Sequence, residues 1–369
     1  MTNRFATYLE IDLNALEQNY IFLKQKLSPK TKFLAVVKAF AYGSVANAVA
    51  AKLEALGIDY FAVAYTQEGV KLRQSGIWKP IMVLHPQPES FDQIIDHCLE
   101  PCLYSFRVLE DFLSVAKSHK QTNYPVHIKF NTGLNRLGFN QSQAEQVAAI
   151  FNQQSTIKMA SLLSHLAASE DMNESDFSLQ QIHQFENINS RIIASIGYQP
   201  IRHMCNTSGI LNYKQAHFDM VRSGIGLYGF SNESNEHHEL IPIATLKTHI
   251  SQIHHLKKGE SVGYNRAYVC DADTTIAVVP IGHADGIGRQ YGHGNGQMII
   301  DGKSAPIVGN VCMDMIMLNV TDIKCKEGDT VEVFGVQQSA EYLAERAGTI
   351  SYELITGISN RVPRIVINN

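Results

Sequence analysis

The 369-residue sequence is poor in several features that would assign it to common classes. Its six cysteines (Cys98, Cys102, Cys205, Cys270, Cys312 and Cys325) form no C-x-x-C pair. That removes the usual zinc-ribbon and thioredoxin-type patterns, and the cysteines read as reduced thiols of a cytoplasmic protein. No run of about 18 apolar residues occurs, so no membrane-spanning helix is expected. The N-terminus MTNRFATYLEIDLNAL has no basic region ahead of an apolar stretch, and no secretory leader is expected. Lys plus Arg total 31 against 35 Asp plus Glu, a net charge of −4 with no block of one sign. This balance carries no footprint for nucleic acid. No metal is expected either: His237-His238 and His254-His255 lie in polar stretches and read as solvated loop residues.

What the sequence does have is rhythm. With 45% apolar residues and more length than one average domain needs, it can bury a large core. Eight short apolar runs follow one another at 33–37, 60–64, 81–84, 101–104, 126–130, 157–163, 201–205 and 218–222. Between them lie helical patterns such as 46–56, 106–119, 141–151 and 179–196. Apolar runs alternating with helices predict a parallel sheet, and eight of them predict a closed (β/α)8 barrel. An open doubly wound sheet is the competing reading, but no G-x-G-x-x-G follows the first run. After Gly229 the texture changes. The polar segment 231–239 reads as a linker, and period-two stretches at 274–280, 298–300, 305–308, 316–320 and 330–334 predict strands, with 340–347 the one strong helix. The fold class is therefore α/β: an N-terminal (β/α)8 barrel over 1–235, then a mainly β C-terminal domain over 236–369, which residues 1–10 are free to join.

Reactive groups of such a barrel gather at the C-terminal ends of its strands. Lys38 follows the first run, Arg136 the loop after the fifth, His165 the sixth, Asn206-Thr207-Ser208-Gly209 the seventh, and Arg222-Ser223-Gly224-Ile225 ends the eighth. A lysine in apolar surroundings has a lowered pKa and can form a Schiff base with a carbonyl. The plainer alternative is a surface lysine whose stem snorkels. Thr207, Ser208 and Gly209, with Gly224 and Ile225, can offer hydroxyl and N–H donors to a phosphate, although most such turns are only turns.

The stretch AVVKAFAYG (35–43) resembles the cofactor-lysine motif of alanine racemases. The resemblance continues in order through IKFNTGLNRLGF (128–139), LLSHLA (162–167), HMCNTSG (203–209), VRSGIGLYG (221–229), VGYNRAY (262–268), VVPIGHADGIGR (278–289), VGNVCMDM (308–315) and ISYELITGISNRVPR (350–364). It implies a fold-type III pyridoxal 5'-phosphate enzyme that interconverts L- and D-alanine, supplies D-alanine for peptidoglycan, and works as a head-to-tail homodimer with shared active sites. In that family pattern Lys38 holds the cofactor as a Schiff base. Tyr42, Tyr352, Thr207 and the N–H groups of Gly224 and Ile225 contact its phosphate, beside Asn206. His165 packs on its ring and Arg222 faces the ring nitrogen. Arg136 binds the substrate carboxylate, and Lys129 matches a lysine that many relatives carry carbamylated. From the partner subunit come Tyr264, as second base, and Met313, through its backbone. The chain departs from the family pattern at Phe40, Ser44-Val45, Asn131 and Asn310.

The implied chemistry needs a base on each face of the substrate. Lys38 serves one and Tyr264 the other. A tyrosine has an unperturbed pKa of about 10, so it needs positive neighbours, for which Arg136, Arg222 and His165 are the candidates. Arg222, always cationic, disfavours a protonated ring and so restricts side reactions. Three rivals share parts of the pattern. A non-catalytic cofactor-binding barrel would not need the 240–369 half. A decarboxylase or aldolase of the same fold type would lack the GYNRAY and CMDM pair. A racemase of another amino acid differs by pocket contacts worth only about 1–3 kcal/mol per methylene.

Overall fold

The computed structural model describes residues 5–231 and 239–368. β1 (Thr7–Asp12) runs directly into a helix over Leu13–Gln25. The Asp12 carboxylate caps that helix, accepting from the N–H groups of Asn14 and Ala15 at 2.8 and 3.2 Å. Eight parallel strands follow: β2 (Lys32–Val36), β3 (Tyr60–Val63), β4 (Ile81–Val83), β5 (Glu100–Leu103), β6 (Tyr124–Lys129), β7 (Ile157–Leu163), β8 (Ile201–His203) and β9 (Met220–Ser223). They pair in the order β8-β7-β6-β5-β4-β3-β2-β9. Between β8 and β9 the ladder is reduced to flanking bonds, Asp219 N–H to Arg202 O and Arg222 N–H to Cys205 O, both 3.1 Å. The barrel of the sequence reading is thus present, nearly closed, with its weakest seam beside the weakest apolar run.

Period-two alternation decides what each strand puts inside. Leu34, Tyr60, Ala62, Met82, Cys102, Leu163 and Met220 form a buried cluster of their own in the lumen. Their strand neighbours Phe33, Phe61, Ile81, Leu103, Val126 and Leu162 belong to the larger core shared with the helices. β7 carries an extra residue: Val126 lies opposite Met159, but His127 lies opposite Ser161. The bulge turns Ser161 toward the lumen beside His127.

The remaining strands are β10 (Ala244–His249), β11 (Gln252–Leu256), β12 (Ser261–Val262), β13 (Tyr268–Val269), β14 (Thr274–Val279), β15 (Gln297–Ile300), β16 (Lys303–Pro306), β17 (Ile316–Asn319), β18 (Thr330–Phe334) and β19 (Arg364–Ile367). They make a six-stranded sheet, β16-β15-β18-β10-β1-β19, a three-stranded sheet, β11-β14-β17, and a hairpin. β1 pairs antiparallel with β10 and parallel with β19, so the chain's first strand is built into this β-rich half.

Two sequence expectations change, and a third is not described. His254 and His255 lie on strand β11, solvent-facing, and not in a loop. A second C-terminal helix, Ser351–Thr356, joins Ala340–Arg346; six residues are too few to show a helical period. The proposed linker, with His237-His238, falls almost wholly on 232–238, outside the described residues. Among the described residues no helix is long and apolar enough to cross a membrane.

Candidate active site

Lys38 stands two residues beyond β2, and the backbone after it is unusual. Ala39, Phe40, Ala41 and Tyr42 all have φ between 53° and 57°, a left-handed turn ending in Gly43 at φ 80°. Left-handed geometry costs about 1–2 kcal/mol per non-glycine residue, so other contacts must hold it. The Glu68 carboxylate does this from the helix Thr66–Gln74. It accepts from Ala39 N–H at 2.5 Å and, with its other oxygen, from Ala64 and Tyr65 N–H at 2.8 and 3.1 Å. At the far end a side chain on Gly43 would collide with the carbonyl of Ile355.

Lys38 lines a cavity of about 730 Å³ together with Tyr42, Lys129, Arg136, His165, Asn206, Thr207, Arg222, Gly224, Ile225 and Tyr352. Ten of the expected side chains and backbone positions therefore meet Lys38 in one space. Burial, and then the charge of Arg136, push the Lys38 amine below its usual range, while Glu68 opposes them. No acidic residue adjoins Lys38 in sequence; the fold brings one in. Burial likewise lowers Lys129, which sits among Cys102, Arg136, Arg222 and Lys38.

Arg222 is 5% exposed and its pKa is pushed down to about 10, chiefly by burial, so it remains a cation at neutral pH. Its Nη1 donates to His203 Nδ1 at 2.7 Å. Its Nη2 donates to Ser164 O, His165 Nδ1 and Met204 O at 2.7, 3.0 and 3.1 Å. His165 therefore accepts at Nδ1 and carries its proton on Nε2. Burial and the neighbouring Arg222 hold His165 well below the usual histidine range. It is a neutral ring, which corrects the expectation that it supplies positive charge.

The other end of the cavity is rich in donors. Asn206 caps the helix Thr207–Asn212, its Oδ1 accepting from Gly209 N–H at 2.9 Å and from Ser169 Oγ at 2.8 Å. Thr207 Oγ1 lies 2.9 Å from Ser223 Oγ. Gly224 and Ile225 open the short helix Ile225–Tyr228, where N–H groups have no intrahelical acceptor. A Cβ on Gly224 would collide with the Tyr42 hydroxyl, so only glycine lets that phenol stand against this backbone. Burial and the nearby Tyr352 raise Tyr42, which keeps its proton and serves as a donor.

Tyr264 and Met313 are not brought to this cavity. They lie on the surface of the β-rich half, 74% and 58% exposed. Asn310, one of the departures, binds the Tyr264 loop: its Nδ2 donates to Tyr264 O at 3.1 Å, and its Oδ1 accepts from Arg289 and His293 at 3.0 and 3.1 Å. Asn131 closes its own turn, its Oδ1 accepting from Gly133 and Asn135 N–H at 3.1 and 2.9 Å. Phe40 is exposed and lies 5.7 Å from the Lys71 ammonium.

Sequence reasoning missed Glu68 and the polar residues inside the barrel, His127, Ser161, His203 and Glu100. Parity along the runs VHIKF and IRHMC held a signal for two of them. His127 is two residues before Lys129, which lines the cavity, and His203 two after Ile201, which packs on the lumen cluster.

The donor set fits pyridoxal phosphate. A lowered amine can bind an aldehyde, hydroxyls and helix-opening N–H groups face one end, and a guanidinium with a neutral imidazole faces the other. Comparisons with known proteins point the same way. The family model described as alanine racemase, N-terminal domain, matches residues 11–232, and the corresponding C-terminal domain matches 243–366. The alanine racemase of Thermodesulfovibrio yellowstonii is 36% identical over 363 residues, covering 96% of each chain. The structure of alanine racemase from Clostridium difficile superposes with a TM-score of 0.93 at 32% identity, covering 99% of this chain and 97% of that one. The alanine racemase of Bartonella henselae, solved with covalently bound pyridoxal phosphate, superposes at 0.88 with 29% identity, covering 98% and 100%.

Proposed function

The chain belongs to the alanine racemase family, and on that premise we propose that it is a pyridoxal 5'-phosphate enzyme interconverting L- and D-alanine with Lys38 and, from a second copy of the chain, Tyr264 of the partner subunit. The observation that carries this reading is the single cavity in which the lowered Lys38 amine meets Arg222, His165 and the donor-rich turn at Thr207 and Gly224. When bound, the cofactor withdraws electrons from the substrate Cα and weakens its C–H bond.

The protein's own groups do the rest. Lys38 Nζ anchors the cofactor and then takes or returns the Cα proton on one face. Tyr264 of the partner subunit does so on the other face, so the substrate need not turn over. Arg136 binds the substrate carboxylate beside Met313 of the partner subunit. A carbamate on Lys129 would place a negative charge near both Arg136 and Arg222 and steady the former. Asn206, Thr207, Tyr42, Tyr352 and the N–H groups of Gly224 and Ile225 hold the phosphate, and His165 packs against the ring. Arg222, cationic and fixed by four acceptors, disfavours a proton on the ring nitrogen and so limits side reactions. The product D-alanine supplies peptidoglycan, from the cytoplasm. The test incubates the protein with pyridoxal phosphate and individual L-amino acids and resolves the enantiomers. D-alanine forms fastest; a larger or charged amino acid turning over faster overturns the assignment of alanine.

A further inference from the structure

Arg222 presents an electrostatic problem. It is buried, it is cationic, and its four contacts (His203, Ser164, His165 and Met204) are all neutral acceptors. A buried charge is ordinarily met by an opposite one. Apart from the carbamate proposed on Lys129, the described residues of the lumen offer one carboxylate. Glu100, the first residue of β5, is 9% exposed, at the opposite end of the strands from the cavity.

The two are joined by an unbroken chain of hydrogen bonds. Arg222 Nη1 lies 2.7 Å from His203 Nδ1, and His203 Nε2 lies 2.9 Å from Ser161 Oγ. Ser161 Oγ lies 2.6 Å from His127 Nδ1, and His127 Nε2 lies 2.8 Å from Glu100 Oε2. His127, Ser161 and His203 are each fully buried. The chemistry of the ends fixes every proton between them. Arg222 has no acceptor, so His203 must accept at Nδ1. Burial and the adjacent guanidinium keep His203 neutral, so its one proton is on Nε2 and points at Ser161. A carboxylate only accepts, so His127 donates to Glu100 from Nε2. The Ser161 hydroxyl, already accepting from His203, then gives its proton to His127 Nδ1. Were His127 to donate at both nitrogens, the buried Ser161 proton would have no acceptor, which is costly. All the donors therefore point from Arg222 toward Glu100. Bonds aligned in this way polarise one another.

We propose that Glu100 is the counter-charge of Arg222, acting through His127, Ser161 and His203, and that these four are positioning residues which set the guanidinium's orientation and charge at the cavity. The bulge in β7 is part of the device, because it places Ser161 directly opposite His127. Tyr60, at the start of β3, borders the same carboxyl, whose charge adds to burial in raising the Tyr60 hydroxyl. The inference rests on the proposed function only where it concerns turnover; the direction of the protons stands apart from it.

The test follows 15N resonances of the histidines in the full-length, cofactor-loaded protein, together with racemisation. In the unmodified protein His127 and His203 are both found as neutral Nε2–H tautomers. Glu100→Gln keeps an acceptor and removes the charge. Ser161→Ala cuts the chain and leaves both ends in place, and it serves if the first variant does not fold. Each shifts the His203 Nδ1 resonance and lowers kcat by about three- to tenfold with KM little changed, and Ser161→Ala adds little on top of Glu100→Gln. A merely structural role would lower stability and leave the His203 resonance in place. A folded Ser161→Ala protein with unchanged His203 resonance and kcat, or a wild-type His203 protonated at Nδ1, overturns the proposal. If the unmodified protein racemises nothing, the functional reading fails and the resonance arm still decides the chain.

Discussion

Lys38 illustrates how a residue acquires chemistry from its surroundings. In sequence it is a lysine after an apolar run; in the fold its amine is lowered by burial and by Arg136 and faces a shared cavity. Lys38→Ala is expected to abolish the borohydride-reducible adduct between protein and pyridoxal phosphate, read by mass spectrometry; an adduct persisting at full yield places the Schiff base elsewhere. His203 carries a pH prediction. Its folded pKa lies below the unfolded value, so the unfolded chain binds the extra proton. Stability is then fully present above about pH 6.5 and is lost as pH falls below it, by up to about 1.4 kcal/mol per pH unit for this one group. Urea unfolding between pH 5 and 7 should show that slope, reduced by this amount in His203→Asn; equal slopes would contradict it. At this scale the residues at strand ends were legible, because a barrel gathers them on one face. Glu68, Ser161 and Glu100 were not, because a helix turn, a bulge and a lumen brought them to their partners.

Among the elements, the eight strands matched the apolar runs to within about two residues, since parallel strands buried on both faces read as continuous apolar stretches. The left-handed turn after Lys38 was invisible, because four non-glycine residues adopt it and nothing in their types announces it. It persists through Glu68 and Gly43. This gives a prediction at Phe40, which is exposed and pays the left-handed cost. Phe40→Asn is expected to raise the unfolding free energy by about 1 kcal/mol, because asparagine tolerates that geometry. A loss of stability in thermal unfolding would show that the phenylalanine ring contributes more than its backbone costs. Glu68→Ala, which removes three hydrogen bonds to Ala39, Ala64 and Tyr65, is expected to lower affinity for pyridoxal phosphate, titrated by absorbance, at least about tenfold; unchanged affinity would mean the turn holds itself.

For the whole molecule, the cavity belongs mainly to the barrel, and the β-rich half contributes Tyr352 to it while holding Tyr264 and Met313 outward. An exposed tyrosine and methionine on two loops joined through Asn310, with Met315 and Ile350 also exposed, are consistent with a second copy covering that surface. No pattern in one chain's sequence reports such a surface; only the family resemblance implied it. The central claim is that two copies share each site, and mixing two inactive variants tests it most directly. Lys38→Ala and Tyr264→Phe chains, unfolded together and refolded at equal amounts, give hybrid dimers in which one of two sites keeps both groups. Half the dimers are hybrids, so the account predicts recovery of about a quarter of the unmixed wild-type racemase activity. No recovery above the separate variants, with hybrid dimers verified by mass spectrometry, would contradict it.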